Sequence, residues 1–304
     1  MPPIELNDPE TSQIHRRSFL TRAATLGLGA TAAAFLPGIP VRAHAATSTA
    51  DNLSGDTVTE IFTAALIAED LATTFYLNAL IGEVITDPNL AGPGGTALNV
   101  GPGGNLGNVQ YFRAALSQEI AHANLLRTLL GQTDYHTDPV QTFYVNYLAF
   151  REIGAFTATL DALESAFIGA YLCATIEFAQ MAVDTKAGIA TYKDSKGDVY
   201  SPRELEYFSQ VAASIMGVEA QHRVLGRVTS NTNPANNFNY QQLDGLTAVY
   251  NGSTSAAAAL TPFFAGPGTN LAKLSFIGAI NIANEMGLGI PSTDGPPAPP
   301  TYPS

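Results

Sequence analysis

The stretch SIMGVEAQHRVLGR, residues 214–227, sets Glu219 and His222 three positions apart in a run whose apolar residues recur at helical spacing. On an α-helix, about 100° per residue puts positions i and i+3 on one face, roughly 4.5 Å apart along the axis. The pair therefore aims at a single point, from a face that is otherwise apolar and where an unneutralised carboxylate is costly. The same device occurs twice: EIAHANLLR from Glu119 and EAQHRVLGR from Glu219 share the Glu, the His three later, the Leu six later and the Arg eight later. A second repeat, offset by 95 residues, relates EDLATTFYLNALI from Glu69 to ESAFIGAYLCATI from Glu164, with Tyr76 matching Tyr171. The chain thus reads Glu, then Glu-x-x-His, twice over. With 11 glutamates in the 259 residues after position 45, a given histidine has about a 4% chance of a Glu three before it, yet two of three do. One such pair could be a solvated surface contact; two, both flanked by apolar residues, point to a shared buried site.

Each of the four motifs falls in a long helical pattern. The first helix is predicted over Thr57–Ile85, stopped by Asp87-Pro88. A Gly/Pro-rich loop leads to a second over Asn108–Leu130, with Gly131 closing it. A third region opens at Asp138-Pro139, with a short leading piece to Ala149 and a main body over Arg151–Val183 long enough for a kink. The fourth starts at Ser201-Pro202-Arg203-Glu204, which supplies an N-cap, a proline at the first helical position and an acid in the first turn, and runs to Ser230. Beyond it lie an Asn-rich stretch, a short helix between Leu271 and Leu288 and a Pro-rich tail from Pro296, read as a covering segment around the bundle. The expected class is all-α, an antiparallel four-helix bundle over residues 55–230 with a C-terminal extension over 231–304. The absence of Trp, 13% charged residues and 46% hydrophobic residues suit closely packed helices.

Residues 1–45 have the layout of an export leader. Arg16-Arg17-Ser18-Phe19-Leu20 matches the twin-arginine pattern, a weakly apolar run follows, and Ala43-His44-Ala45 offers a cleavage site. Residues 46–54 read as a linker, and the mature chain is expected to be periplasmic or secreted. Its removal takes away three acids and four arginines, leaving 23 acids against 10 bases, a net charge of −13 that disfavours nucleic acid and anionic membrane surfaces. The C-terminal run LAKLSFIGAINIANEMGLGI is broken by Lys273, Glu285 and glycines and does not read as a membrane span. The single cysteine, Cys173, excludes an intramolecular disulfide and is expected in the core.

Brought to the centre of a bundle with pseudo-twofold symmetry, two single glutamates and two Glu-x-x-His pairs offer four carboxylates and two imidazoles, a donor set suited to two iron or manganese ions. Four buried carboxylates need two divalent ions to be neutralised. This arrangement resembles the ferritin-like superfamily, and more narrowly the exported ferritin-like domain family of bacterial twin-arginine-dependent and plant desiccation-related proteins; VEAQHRVLGR is similar to its fourth-helix motif. The resemblance implies terminal ligands at Glu69 and Glu164, bridging ligands at Glu119 and Glu219, and nitrogen ligands at His122 and His222. It implies an oxidoreductase acting on O2, peroxide or Fe(II), of ferroxidase, peroxidase or catalase-like type. The alternative is a non-enzymatic stress, desiccation-protection or envelope protein on the same scaffold. A ferritin-type storage shell is disfavoured by the long loop and the extension, although oligomers of other kinds stay open.

The remaining candidates read as supporting residues. Glu177 lies about 220° around its helix from Glu164, and Glu83 some four turns from Glu69, so both are expected to be peripheral. Tyr76 and Tyr171, two turns from the single glutamates, are expected to pack in the core with bonded hydroxyls, with a place beside the ligands as the alternative. His136 reads as solvated, and Arg127 and Arg227 as capping or salt-bridging groups. There is no nucleophile elbow, phosphate-cradling loop or zinc-type cysteine spacing.

Overall fold

A computed structural model describes residues 55–232, 234 and 246–288. The leader, the linker up to residue 54, most of the Asn-rich stretch and the Pro-rich tail lie outside the described residues. Four long helices make the body: α1 (Val58–Ile81), α2 (Leu106–Leu129), α3 (Ile153–Ala187) and α4 (Pro202–Thr229). Two short ones, α5 (Ala256–Leu260) and α6 (Phe276–Glu285), follow in the C-terminal segment.

Aromatic contacts fix the helix directions. Phe62, near the start of α1, meets Phe178 near the end of α3 at 4.9 Å and Phe208 near the start of α4 at 5.0 Å. Phe75, near the end of α1, stacks at 5.0 Å on Phe156 near the start of α3, and Phe112 of early α2 meets the same ring at 5.3 Å. So α1 runs antiparallel to α3 and parallel to α4, while α2 and α3 start at the same end. Contacts join α1 to α2 and α3, and α4 to α2 and α3, a four-membered ring in which every neighbour is antiparallel. The α2–α3 connection must then travel the length of the bundle, since parallel elements cannot be joined by a tight turn.

Helix α1 is enclosed on all sides, with 20 of its 24 residues buried, because α6 covers the flank the other helices leave open. That explains its composition: a helix apolar all round belongs in a core or a membrane. By length and hydropathy alone both α1 and α3 could span a bilayer, but 89% of the apolar window of α1 is buried inside the fold. The C-terminal segment is tied to the start of α1 by Asp56. Its carboxylate accepts N–H bonds from Val249 (3.0 Å), Tyr250 (2.9 Å) and Asn251 (2.7 Å), and one from the Asn251 side-chain amide (2.6 Å).

Several boundaries differ from the sequence reading. Helix α1 stops at Ile81, not Ile85, because Gly82 turns extended and residues Glu83–Thr86 form a 3₁₀ turn. A Cβ at Gly82 would sit 2.6 Å from Asn78 O and 2.9 Å from Phe150 O, so only glycine admits this approach. Helix α2 begins earlier, at Leu106, because Asn105 caps it by accepting the Asn108 N–H. The leading helical piece before Ala149 is instead a strand, β1 (Thr142–Asn146), followed by a 3₁₀ turn over Tyr147–Phe150. It pairs antiparallel with β2 (Leu271–Ser275), the stretch read as the start of the last helix, in the register Phe143↔Leu274 and Val145↔Ala272. Helix α3 runs 35 residues without a break, and Cys173 is at the core margin, half-buried with its Sγ 3.2 Å from Leu246 O. The fourth helix starts as expected, with a complete capping box between Ser201 and Glu204.

Candidate metal centre

Each of the four long helices delivers its acid at mid-length, where the backbone is most constrained. Glu119, Glu164 and Glu219 are fully buried and Glu69 is 2% exposed. Two overlapping groups result: Glu69, Glu119, His122 and Glu219 form one, and Glu119, Glu164, Glu219 and His222 the other. Within each group one donor atom per residue lies within 4.8 Å of all the others, a spacing that could hold a metal ion. Glu119 and Glu219 belong to both. All six residues singled out from the sequence are therefore brought together, and they divide as the repeat divides.

Both histidines face the acids through Nδ1. His122 Nδ1 lies 3.2 Å from Glu69 Oε2, 3.3 Å from Glu219 Oε1 and 3.6 Å from Glu119 Oε2. His222 Nδ1 lies 2.8 Å from Glu119 Oε1, 3.4 Å from Glu219 Oε2 and 3.9 Å from Glu164 Oε1. Close approach does not satisfy these groups. Among the described residues, both carboxylate oxygens of Glu119 and of Glu219, Oε2 of Glu164 and Nδ1 of His222 are buried without a hydrogen bond of adequate angle. Buried polar atoms are rarely left so, and a concentration of them around one point is what a cation would satisfy. The donor set, oxygen-rich with two imidazoles, suits a divalent transition ion.

Burial, reinforced by the neighbouring carboxylates, raises Glu69 and Glu164 well above the ordinary carboxylate range. Burial acts the same way on Glu119, but the facing His222 and His122 outweigh it and lower its pKa. Burial alone would lower both histidines; the surrounding glutamates, Glu69 foremost for His122 and Glu119 for His222, raise them well above the usual imidazole value. A metal ion entering the cluster would have to displace protons from the groups so raised.

The tyrosines are closer to the acids than the sequence reading favoured. Tyr76 of α1 donates its hydroxyl to Glu164 Oε1 of α3 at 2.6 Å, and Tyr171 of α3 donates to Glu69 Oε1 of α1. The exchange is reciprocal, each half of the repeat holding the carboxylate of the other. Burial and the adjacent glutamates push both phenols well above their ordinary pKa, so they stay protonated donors. Two further residues were not legible in the sequence. Gln118 Oε1 accepts from His222 Nε2 at 2.8 Å, which leaves Nδ1 to face the acids, and Tyr111 donates to the His222 carbonyl at 2.7 Å. Gln118 only precedes Glu119 in sequence and Tyr111 lies outside both motifs, so spacing gave no signal for either.

The other candidates fall outside the cluster. Glu83 is exposed and pairs with Arg151 at 2.9 Å, and His136 is exposed and stacked on Tyr135. Glu177 belongs to neither donor group but is buried at 5% exposure, not peripheral. Arg127 and Arg227 both make ion pairs in unlike settings. Arg127 is buried between Asp70 (2.7 Å) and Asp138 (2.6 Å), whereas Arg227 meets Asp161 at 2.7 Å near the surface. Neither touches the six donors. No protein-family model, curated protein or solved structure matches this chain.

Proposed function

We propose that this chain is an exported ferritin-like protein whose central cluster holds two divalent ions, iron or manganese, and that it is an oxidoreductase acting on O2, peroxide or Fe(II). The observation that carries the proposal is the pair of overlapping donor groups sharing Glu119 and Glu219. Two positions with shared carboxylates between them are the arrangement of a bridged dinuclear site, with Glu69 and His122 completing one position and Glu164 and His222 the other. Four carboxylates balance two divalent charges, which removes the penalty of burying them. The ring of antiparallel helices with one connection spanning the bundle supports the ferritin-like reading, since that topology distinguishes such folds from bundles joined by short loops throughout. When bound, the ions would supply redox cycling.

The residues set the conditions for that chemistry. Tyr76 and Tyr171 orient the terminal carboxylates and place two protonated phenols beside the centre. Gln118 fixes the His222 ring so that Nδ1 faces inward. The apolar helices around the cluster keep bulk water out, which strengthens every charge interaction inside.

The test is metal content of the full chain by mass spectrometry, with peroxide and ferrous-oxidation assays. Wild type is expected to carry two ions. Glu119→Ala and Glu219→Ala should lose both, because each serves both positions, while Glu69→Ala or Glu164→Ala should retain one. A metal-free, inert wild type whose melting is unchanged in the Glu119 and Glu219 variants would overturn the proposal and leave the non-enzymatic protective role.

A further inference from the structure

Along α2 a groove of about 310 Å³ opens between that helix and residues Gly287 and Leu288 of the C-terminal segment. Its polar lining comes from one face of α2: Gln110, Arg113, Ser117 and Gln118, spaced at i, i+3, i+7 and i+8. Its volume lies in the range of small-molecule sites.

Arg113 is the unusual member. Its Nε is buried and finds no hydrogen-bond acceptor among the described residues, and no acid there forms an ion pair with it. Unlike it, Arg127, Arg151 and Arg227 each hold a carboxylate. In a chain with 26 acids against 14 bases, a partly buried guanidinium with no counter-ion among the described residues is a departure from the general charge balance. A guanidinium presents a planar fork of donors that matches a carboxylate or phosphate.

The internal repeat matches this lining only in part. The positions of α4 that correspond to Arg113, Ser117 and Gln118, at the offset of 100 that relates Glu119 to Glu219, are Ala213, Gly217 and Val218. Gln110 is matched by Gln210, so the other half keeps one of the four polar residues and has neither the arginine nor its two neighbours.

We propose that this groove is a binding site for a small oxyanion, a molecule carrying a carboxylate or phosphate group, anchored on Arg113 with Gln110, Ser117 and Gln118 as hydrogen-bonding partners. Gln118 lines the groove and also holds His222 Nε2 at 2.8 Å, so the occupant lies one side chain from the buried cluster. The site stands on its own geometry and is tested without metal.

The experiment is isothermal titration calorimetry of the metal-free full chain with inorganic phosphate and, separately, with succinate. At least one probe is expected to bind saturably at one site with a Kd of about 1 mM or tighter, and the arm that binds identifies the phosphate or carboxylate source. Arg113→Gln should weaken binding at least about tenfold, and Arg203→Gln, which removes an exposed arginine elsewhere, should leave it unchanged. Ala114→Trp, at an exposed position lining the groove, should block it without burdening the core. Absence of saturable binding of both probes to wild type, or equal binding in Arg113→Gln and Ala114→Trp, would overturn the proposal, and neither outcome bears on the metal content of the cluster.

Discussion

Tyr76→Phe removes one oxygen from a side chain that is fully buried, and the carboxylate it serves, Glu164, is fully buried as well. The bond is 2.6 Å long and spans α1 and α3, so nothing local replaces it. Its worth depends on the charge state of Glu164. In metal-free protein burial raises that carboxyl well above its usual range, which favours the neutral form, and a neutral bond is worth about 0.5–1.5 kcal/mol. With divalent ions in the cluster Glu164 is ionised, and a hydrogen bond to a charged group is worth about 1.5–3 kcal/mol. Tyr76→Phe is therefore expected to destabilise loaded protein about twice as much as metal-free protein. For a domain of this size that is a fall in Tm of about 3–12 °C against about 1–6 °C. Urea unfolding of both variants in both states is the assay, with Glu164→Gln added to complete a double-mutant cycle. Equal costs in the two states, or a loaded-state excess that persists in the Glu164→Gln background, where the acceptor is a neutral amide oxygen, would refute the reasoning.

Arg127→Met and Arg227→Met alter matching positions of the repeat, yet their costs should differ widely. The first strands Asp70 and Asp138 in the interior and should cost about 3–5 kcal/mol; the second breaks a pair whose side chains are 20% and 40% exposed and should cost about 0–1 kcal/mol. Urea denaturation that ranks them equally would count against the buried triad. Asp56→Ala leaves three backbone N–H groups of residues 249–251 without their acceptor, so hydrogen exchange there should accelerate and stability fall by at least about 2 kcal/mol. Unchanged protection at those amides would show that the clasp does not hold the segment. Gln118→Leu frees the His222 ring and should lower metal affinity about 10–100-fold in chelator competition, while the same assay on Tyr111→Phe, which touches only a carbonyl, should move far less.

The six donors were legible because each sits on a long helix whose local periodicity fixes its face, and because the repeat supplies the partner motifs. Glu119 with His122 needs only the 3.6-residue period to become a directed pair. The strand pairing was not legible for the opposite reason. Thr142–Asn146 and Leu271–Ser275 find each other across more than 120 residues, and the period-2 burial of Phe143 and Val145 is too short to outweigh the helical signals on either side. The tyrosine hydroxyls fall between the two cases. Their placement on the acid-bearing face followed from the sevenfold spacing, but the crossing of Tyr76 to Glu164 and Tyr171 to Glu69 depends on how α1 and α3 are set against each other. Arg127 shows the same limit, since its partners come from α1 (Asp70) and from the loop before β1 (Asp138), and only packing brings them to it.

The repeat is kept where two positions need the same donors and abandoned where they need different surroundings. Glu69 matches Glu164, Tyr76 matches Tyr171, and each Glu-x-x-His matches the other, so both candidate ion positions receive the same donor types. Around them Asp70 faces a serine counterpart at Ser165, Gln118 a valine at Val218, and Tyr111 a valine at Val211. These differences fall unevenly. His222 is held by Gln118 and by Tyr111 at its own carbonyl, and its side chain is 1% exposed; His122 has no counterpart to either bond among the described residues, and its side chain is 13% exposed. Two positions alike in charge and donor type thus differ in reach from solvent. A buried pair of ions with one accessible side needs only one approach for a small substrate, and the other side can stay packed and dry. Under the proposed function, that approach falls to the side of His122, the more exposed of the two imidazoles, and the packed side is that of His222.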